Sequence, residues 1–196
     1  MGKLPNLEEI GALHRKYAPK HLLDKVFTHC QIVWEIANQL IEKRNLNVDK
    51  DIVRAGCLLH DIGVYRLITK EGIYDKKNYI QHGVLGSGLL KSENVTGSVC
   101  DIAERHTGVG ITKSDIIKQK LPIPLKDYLA ETVEERLVMY ADKFHSKTPK
   151  FNSYESYCNY IRRFGEEKVI IFKALASEFG KPDLKGLSTR YNMPLL

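Results

Sequence analysis

Histidines and aspartates that could bind a metal stand singly in this chain, at places where an apolar helical pattern favours a hydrophobic residue. They are His29, His60, Asp61, His82, His106 and Asp142. Burying an unpaired imidazole or carboxylate costs several kcal/mol, so such residues persist on core faces mainly when they pair, hydrogen-bond or coordinate a metal. Because all of them share this pattern, we predict a metal site.

The donor types narrow the choice of metal and of reaction. Imidazole nitrogen and carboxylate oxygen without thiolate suit Fe, Mn, Co, Ni or Zn. His60 and Asp61 are adjacent, and a carboxylate beside a ligating histidine can bridge two ions. Two ions held roughly 3.5 to 4 Å apart can activate a hydroxide and clamp a phosphoryl group during in-line displacement. We therefore expect two divalent transition-metal ions as cofactors.

The elements that must position these residues are predicted to be helices. Apolar residues recur at three- and four-residue steps from Leu22 to Ile41, and His29 lies at the edge of this stripe. Asp49 is predicted to cap a second helix, Ile52 to His60, and Gly63 to end it. Because the second helix is apolar nearly all round, we expect it at the centre of the fold.

A polar and aromatic stretch from Val64 to Tyr79 follows the central helix. The turn signal at Glu71-Gly72 predicts an irregular loop over the end of that helix. A short helix is predicted from His82 to Leu90, in which Gly83 and Gly86 permit close backbone approach. We predict that the His82 side chain points inward, toward the core.

The rest of the chain continues the helical pattern. Further helices are predicted from Val99 to His106, from Glu131 to His145, from a capping box at Asn152 and Glu155 through Phe164, and from Glu166 to Phe179. His106 and Asp142 each occupy a position on an apolar face. The segment Ile111 to Tyr128 is predicted to be a surface excursion with one short helix. Since no alternating strand pattern is convincing, we expect an all-α fold.

The composition is that of an ordinary globular protein. The chain has 196 residues, 43% of them hydrophobic, which suits a single domain over residues 1–196. Its cysteines, Cys30, Cys57, Cys100 and Cys158, form no C-x-x-C pair, so we expect core thiols rather than a zinc knuckle or disulfides. The N-terminus lacks an apolar signal core and no segment could span a membrane, so we expect a cytoplasmic protein without membrane association.

The charge distribution bears on the partner. The net charge is +6, but the basic residues are scattered, whereas nucleic-acid binders usually concentrate them on one face. We therefore expect no nucleic-acid partner and a small phosphorylated, nucleotide-like substrate. The sequence leaves the oligomeric state open.

The order of these motifs resembles a known family. The series His29, His60-Asp61, Asp142 is similar to the H...HD...D signature of the HD-domain superfamily of metal-dependent phosphohydrolases, and residues 60–63 spell its HDIG variant. Similar motifs of HDIG proteins stand at residues 81–83, 104–108 and 140–143. The resemblance implies an all-helical HD-domain bundle with the metal site between central helices.

The resemblance also implies roles for individual residues. His29, His60, Asp61 and Asp142 would hold one ion, and Asp61, His82 and His106 would hold the second. The two additional histidines distinguish dinuclear branches, such as the diadenosine tetraphosphate hydrolases, from mononuclear nucleotidases.

The phosphate-contacting cation departs from the family pattern. Relatives often carry Lys directly after the HD motif, where this chain has Val64. Arg66 is the nearest substitute, and Lys143 and Arg105 are further candidates. We expect Asp61, Arg66 and Lys143 to be catalytic.

Other residues that could carry chemistry receive simpler interpretations. We interpret His14, His21 and His145 as surface residues or as residues behind the ligands. The tyrosines at three-residue steps, Tyr154, Tyr157 and Tyr160, are interpreted as packing residues rather than as a platform for bases.

The expected function is hydrolysis of a nucleotide-like phosphoester or phosphoanhydride. Two alternatives stay open. Some HD-fold proteins use the same ligand pattern to hold a di-iron pair for oxygen-dependent cleavage. A non-catalytic module could also sense a nucleotide through its metal centre, although the intact ligand set argues against this alternative.

Overall fold

Helices provide nearly all the regular structure of this computed structural model, which describes residues 2–19, 23–69 and 73–196. The α-helices are α1 (Leu7–Tyr17), α2 (Leu23–Arg44), α3 (Lys50–Leu59), α4 (His82–Ser92), α5 (Gly97–Arg105), α6 (Lys113–Gln119), α7 (Val133–Asp142), α8 (Tyr154–Ile161), α9 (Glu166–Phe179) and α10 (Leu184–Tyr191). The predicted all-α class is confirmed. His21, Leu22 and the turn expected at Glu71-Gly72 lie outside the described residues.

Short elements connect some of the helices. Three 3-10 helices span Ile62–Leu67, Tyr79–Gln81 and Arg162–Phe164 within the described ranges. Strands β1 (His145–Ser146) and β2 (Lys150–Phe151) form an antiparallel hairpin after α7, with His145 opposite Phe151. Because the chain turns into this hairpin, α7 ends at Asp142 and not at His145 as predicted.

Local capping explains where several helices begin. The Asp49 carboxylate accepts hydrogen bonds from the backbone amides of Asp51 and Ile52, so the predicted cap of α3 is confirmed. At α8 the predicted cap is wrong by one residue. The Ser153 hydroxyl accepts from the Ser156 amide, whereas the Asn152 side chain donates to the Lys143 carbonyl.

Helix α3 lies at the centre of the fold, as its apolar sequence predicts. Its residues Val53 and Cys57 belong to the larger hydrophobic cluster, which also takes in α2, α7 and α9. Leu58 and Leu59 belong to a second cluster with α1, α4 and α5. The first turn of the helix is exposed, but residues 55–60 are all buried between the two clusters, so its C-terminal end lies in the core.

Gly63 has a different role from the predicted one. It lies inside the 3-10 helix Ile62–Leu67 and does not end α3 through a left-handed conformation. A Cβ at this position would overlap the His82 carbonyl oxygen and the Gly86 amide nitrogen, and would lie 2.8 Å from Gly86 Cα. Gly63 therefore permits the backbone of α4 to pack directly against the HDIG segment.

Two further expectations from composition can be compared with the structure. The cysteines are free and buried, so the prediction of core thiols is confirmed. Within the described residues, no helix is long and apolar enough to cross a membrane.

Candidate metal centre

The fold brings together all the residues predicted to bind metal. His29 lies on α2, His60 and Asp61 follow α3, His82 begins α4, His106 follows α5, and Asp142 ends α7. The histidines and Asp61 are buried, and the Asp142 side chain is 15% exposed. His29 Nε2 lies 3.0 Å from Asp142 Oδ1 and 3.2 Å from Asp61 Oδ2. Donors that are far apart in the sequence thus meet at one point.

Backbone carbonyls orient three of the imidazoles. The Nδ1 atoms of His60, His82 and His106 lie 2.7 to 2.8 Å from the carbonyl oxygen three residues earlier in each case. A carbonyl oxygen only accepts hydrogen bonds, so each Nδ1 carries the proton and each Nε2 is left with a lone pair. The helix ends therefore direct three Nε2 lone pairs into the centre.

The imidazole nitrogens face one another at short range. His60 Nε2 lies 3.2 Å from His29 Nε2, and His82 Nε2 lies 3.0 Å from His106 Nε2. The facing lone pairs of His82 and His106 cannot form a hydrogen bond with each other, whereas a cation between them satisfies both. This donor arrangement fits metal ions.

Asp61 lies between the two imidazole pairs. Its Oδ2 is 3.2 Å from His29 Nε2 and 3.3 Å from His60 Nε2, while its Oδ1 is 3.6 Å from the Nε2 atoms of both His82 and His106. Both oxygens are buried. Oδ2 pairs with the Lys147 ammonium group at 2.5 Å, whereas Oδ1 has no hydrogen-bond partner among the described residues. A buried carboxylate with this environment fits a bridging position, because each oxygen faces a different pair of donors.

The protonation states suit metal coordination. Burial lowers the pKa of His82 to about 3 and also lowers the pKa of His106, so both imidazoles are neutral. Burial alone would raise the pKa of Asp142, but Lys143 and His29 hold it well below its usual range. At His60 burial alone would lower the pKa, but Asp61 raises it well above its usual range, so an ion that binds there would displace a proton. Neutral imidazoles and ionised carboxylates are the forms that bind metals.

Two overlapping donor sets are close enough to hold an ion. The ligand atoms of His29, His60 and Asp142 lie within 4.8 Å of one another, and so do those of His60, Asp61 and His106. The second set differs from the expected one in having His60 where His82 was predicted. His82 nevertheless faces the same Asp61 oxygen as His106.

Two lysines bring positive charge to the centre. Lys143 Nζ donates to Asp142 Oδ2 at 2.6 Å and to the His106 carbonyl at 3.0 Å. Lys147 Nζ lies 2.5 Å from Asp61 Oδ2 and 5.5 Å from the centroid of the Tyr79 ring. Lys147 is not among the residues predicted from the sequence. It reaches the site because the turn between β1 and β2 carries it there.

The arginines predicted as phosphate contacts lie elsewhere. Arg66 is exposed, stands 5.4 Å from the Tyr17 ring and lines a separate pocket. Arg105 pairs with the carboxylates of Glu131 and Glu135 at 3.0 and 3.1 Å. Arg66 thus does not line the cavity at the candidate metal centre, and its catalytic role stays a prediction.

Two other histidines are buried rather than exposed. His145 Nδ1 lies 2.9 Å from His29 Nδ1, so His145 stands behind that ligand. His14 contacts the Leu58 carbonyl at 2.7 Å and the Tyr65 hydroxyl at 2.8 Å. His145 therefore helps to hold His29, while His14 ties α1 to the end of α3.

A cavity of about 700 Å³ opens from the centre. Its lining includes His29, His82, His106, Asp142, Lys143, Lys147, Lys150, Tyr157, Tyr160, Phe164 and Lys168. The turn at Gly108 and Gly110, with φ values of +61° and +96°, forms part of the wall. The candidate metal centre is thus accessible to a small molecule.

Fold and site together define a helical metal-binding domain with a buried histidine and aspartate centre. The family model described as HD domain matches residues 26–147, which is more than half of the chain and includes every predicted ligand. The chain belongs to the HD domain family, as the motifs predicted.

Similar proteins carry differing names. The chain is 37% identical over 123 residues to a tRNA (cytidine(56)-2'-O)-methyltransferase of Picrophilus torridus, covering 63% of this chain and 32% of that protein. It is 31% identical over 140 residues to the protein of that name from Thermoplasma volcanium, covering 71% of this chain and 37% of that protein. It is 36% identical over 146 residues to the uncharacterized protein MJ0778 of Methanocaldococcus jannaschii, covering 73% of this chain and 79% of that protein. The match thus spans about a third of each methyltransferase.

Solved structures share the fold. The HD domain of the L. monocytogenes phosphodiesterase PgpH has a TM-score of 0.55 at 17% identity, covering 93% of this chain and 98% of that chain. The same domain in complex with cyclic-di-AMP has a TM-score of 0.55 at 16% identity, covering 94% of this chain and 97% of that chain. At this level of identity the likeness establishes the helical HD fold.

Proposed function

We propose that the chain is a metal-dependent phosphohydrolase that cleaves a nucleotide-like phosphoester or phosphoanhydride. The observation that carries the proposal is the position of Asp61, with one oxygen facing His29 and His60 and the other facing His82 and His106. We assign His29, His60, Asp61 and Asp142 to one divalent ion, and Asp61, His82 and His106 to a second.

The residues around the ligands have separate tasks in this proposal. Two ions, when bound, would supply Lewis acidity toward a phosphoryl group and lower the pKa of water. Lys147 neutralises charge on the phosphate, because its ammonium group lies at Asp61 and its side chain lines the cavity. Lys143 uses two of its three N–H donors to hold Asp142 and the His106 carbonyl, which leaves one for a phosphate oxygen.

The cavity supports a nucleotide-sized anion as the substrate. Its volume of about 700 Å³ far exceeds the space for a phosphate ion and lies within the usual range for small-molecule sites. Lys143, Lys147, Lys150 and Lys168 line it. A domain of the same fold has been crystallised with cyclic-di-AMP, which supports a nucleotide ligand. The methyltransferase name of two relatives belongs to proteins of which the matched segment is about a third, and it is not carried to this chain.

Phosphate release tests the proposal. The chain, loaded in turn with Mn, Fe, Co, Ni and Zn, is incubated with mononucleotides, dinucleoside polyphosphates and cyclic dinucleotides. We expect at least one substrate to release phosphate or a nucleoside phosphate, and chelation to abolish the release. Asp61→Ala, purified in parallel, controls for contaminating phosphatase because it removes the carboxylate that we assign to both ions. Inactivity of every metal form across the panel would refute the hydrolase.

The same measurement separates the alternatives. Turnover that requires both iron and oxygen would favour a di-iron oxygenase. Tight nucleotide binding without product in any metal form would favour a sensing module.

A further inference from the structure

One wall of the cavity is built by residues that follow the HD-domain match at residues 26–147. Tyr157, Tyr160 and Ile161 come from α8, Phe164 from the 3-10 helix behind it, and Lys168 from α9. The metal ligands come from the matched part. The cavity therefore has the candidate metal centre, which lies in the HD-domain part of the chain, on one side and the C-terminal helices on the other.

Tyr160 and Phe164 stand out on this wall by their exposure. Tyr160 is 48% and Phe164 40% exposed, and all other aromatic side chains in the described residues are buried or half-buried. Their ring centroids lie 6.0 Å apart with an interplanar angle of 63°. Leaving two large aromatic rings in contact with water is unfavourable, so their joint exposure at a cavity points to a ligand that covers them.

The neighbours of Tyr160 hold its ring in place. The Arg163 guanidinium lies 4.3 Å from the Tyr160 centroid and does not line the cavity, so it supports the ring from outside. The Tyr157 ring is 5.8 Å away and packs on Phe172 at 4.6 Å. Tyr154 also stacks on Phe172, at 5.5 Å. The packing interpretation thus holds for Tyr154 and Tyr157 but not for Tyr160.

We propose that Tyr160 and Phe164 form a stacking platform for the base of a nucleotide whose phosphate lies at the metal centre. Because the two rings are inclined by 63°, the base stacks on one ring and meets the other at its edge. This inference rests on the proposed function and adds that the base is the part of the substrate that the site recognises. Aromatic side chains bind bases by stacking, and the base edge takes hydrogen bonds from neighbouring polar groups. The amides of Gln119 and Asn152 line the same cavity and can supply such bonds. The preferred substrate therefore carries a base, and sugar phosphates and inorganic polyphosphates are poor ligands.

Calorimetric binding to the metal-loaded full chain tests the platform. The probes are the 5′-monophosphates of adenosine, guanosine, cytidine and uridine, with ribose 5-phosphate as the matched compound without a base, and chromatography monitors any cleavage. We expect at least one nucleotide to bind more tightly than ribose 5-phosphate. Tyr160→Ala and Phe164→Ala should each weaken that nucleotide roughly tenfold and leave ribose 5-phosphate unchanged.

Two further variants make the test specific. Tyr160→Phe keeps the ring and should bind nucleotides like the wild type. Ile170→Ala alters a residue that is 64% exposed on α9 and does not line the cavity, so binding should be unchanged.

The outcomes separate this inference from the proposed function. Nucleotide binding with base preference but no cleavage of any substrate would support the platform and refute the hydrolase. Cleavage of phosphoesters with equal binding of ribose 5-phosphate and all four nucleotides would support the hydrolase and overturn the platform. Alanine variants that keep the wild-type preference, or a wild type that binds none of the five compounds, would also overturn it.

Discussion

Replacing Gly63 by alanine should damage the metal centre through the backbone rather than through a ligand. The added Cβ would lie 2.8 Å from Gly86 Cα and would overlap the His82 carbonyl oxygen. Carbon atoms in contact need about 3.5 to 4.0 Å, so α4 must retreat by about 1 Å. Because the obstructing atoms belong to backbone, no side-chain rotation can relieve the overlap.

The displacement sets the expected size of the effect. Overpacking of a filled core typically costs about 1 to 3 kcal/mol, and we expect Gly63→Ala near the upper end because α4 must move as a unit. His82 moves with the first turn of α4. A misplacement of about 1 Å at a reacting centre can lower the rate about 100-fold, so we expect kcat/KM to fall by this order even in protein that stays folded.

A matched control exists on the same helix. A Cβ at Gly88 meets nothing within 4 Å, so Gly88→Ala should keep activity and gain about 0.5 to 1 kcal/mol of stability from helix propensity. Urea unfolding, metal analysis and steady-state kinetics are measured on both variants. If Gly63→Ala unfolds at the wild-type urea concentration and keeps full metal content and activity, the close packing of α4 on the HDIG segment does not exist in solution.

Three other perturbations test separate parts of the structure. His82→Ala and His106→Ala should each lower the metal content, measured by mass spectrometry, from about two ions toward one per chain. A wild type that binds a single ion, with the content unchanged in both variants, would show a mononuclear site. Lys147→Met should keep its metals but lose about tenfold or more in kcat/KM, because a phosphate contact is lost. Arg66→Ala should have the kcat/KM of the wild type. A loss in Arg66→Ala and none in Lys147→Met would assign the phosphate contact to Arg66. Burial lowers the pKa of His14 to about 4, below its usual value of about 6.5 in the unfolded chain, so the unfolded state binds more protons as the pH falls through this range. The free energy of unfolding should therefore drop by about 2 kcal/mol between pH 7 and pH 5 through His14 alone. Urea denaturation at both pH values should show this drop to be smaller by that amount in His14→Gln, and an equal drop in both proteins would contradict the assignment.

The residues that converge at the candidate metal centre could be predicted because each of them breaks a local pattern. His106 continues the apolar face of α5, and Asp142 replaces a hydrophobic residue on α7. Such a mismatch between residue type and position is visible in one helix at a time. The Asp49 cap and the bounds of α9 could be predicted for the same reason, since short-range hydrogen bonds and periodicity determine them.

Lys147 could not be predicted, because its position depends on long-range geometry. It is one of several lysines near the end of α7, and only the two-residue strands β1 and β2 turn it toward Asp61. Arg66 shows the converse. It is close to the HD motif in sequence, but the direction of the 3-10 helix points it to solvent.

The buried histidines His14 and His145 are also outside the reach of local patterns. Each makes its key contacts with residues far away in the sequence, His14 with Leu58 and His145 with His29. Helices α1 and α10 received no prediction, although Asn6 and Glu9 form a complete capping box at the start of α1.

Three helices end at the metal centre, and this convergence has an electrostatic consequence for the order of binding. His60 and His106 follow the last residues of α3 and α5, and Asp142 is the last residue of α7, while α4 alone begins there at His82. Each helix C-terminus carries about half a negative charge from its aligned peptide dipoles. The ammonium groups of Lys147 and Lys143 offset the charges of Asp61 and Asp142, so the helix dipoles leave the centre negative before an ion binds. This field attracts divalent cations and repels phosphate until they have bound. Inorganic phosphate should therefore bind measurably to the metal-loaded chain and not to the chain stripped of metal.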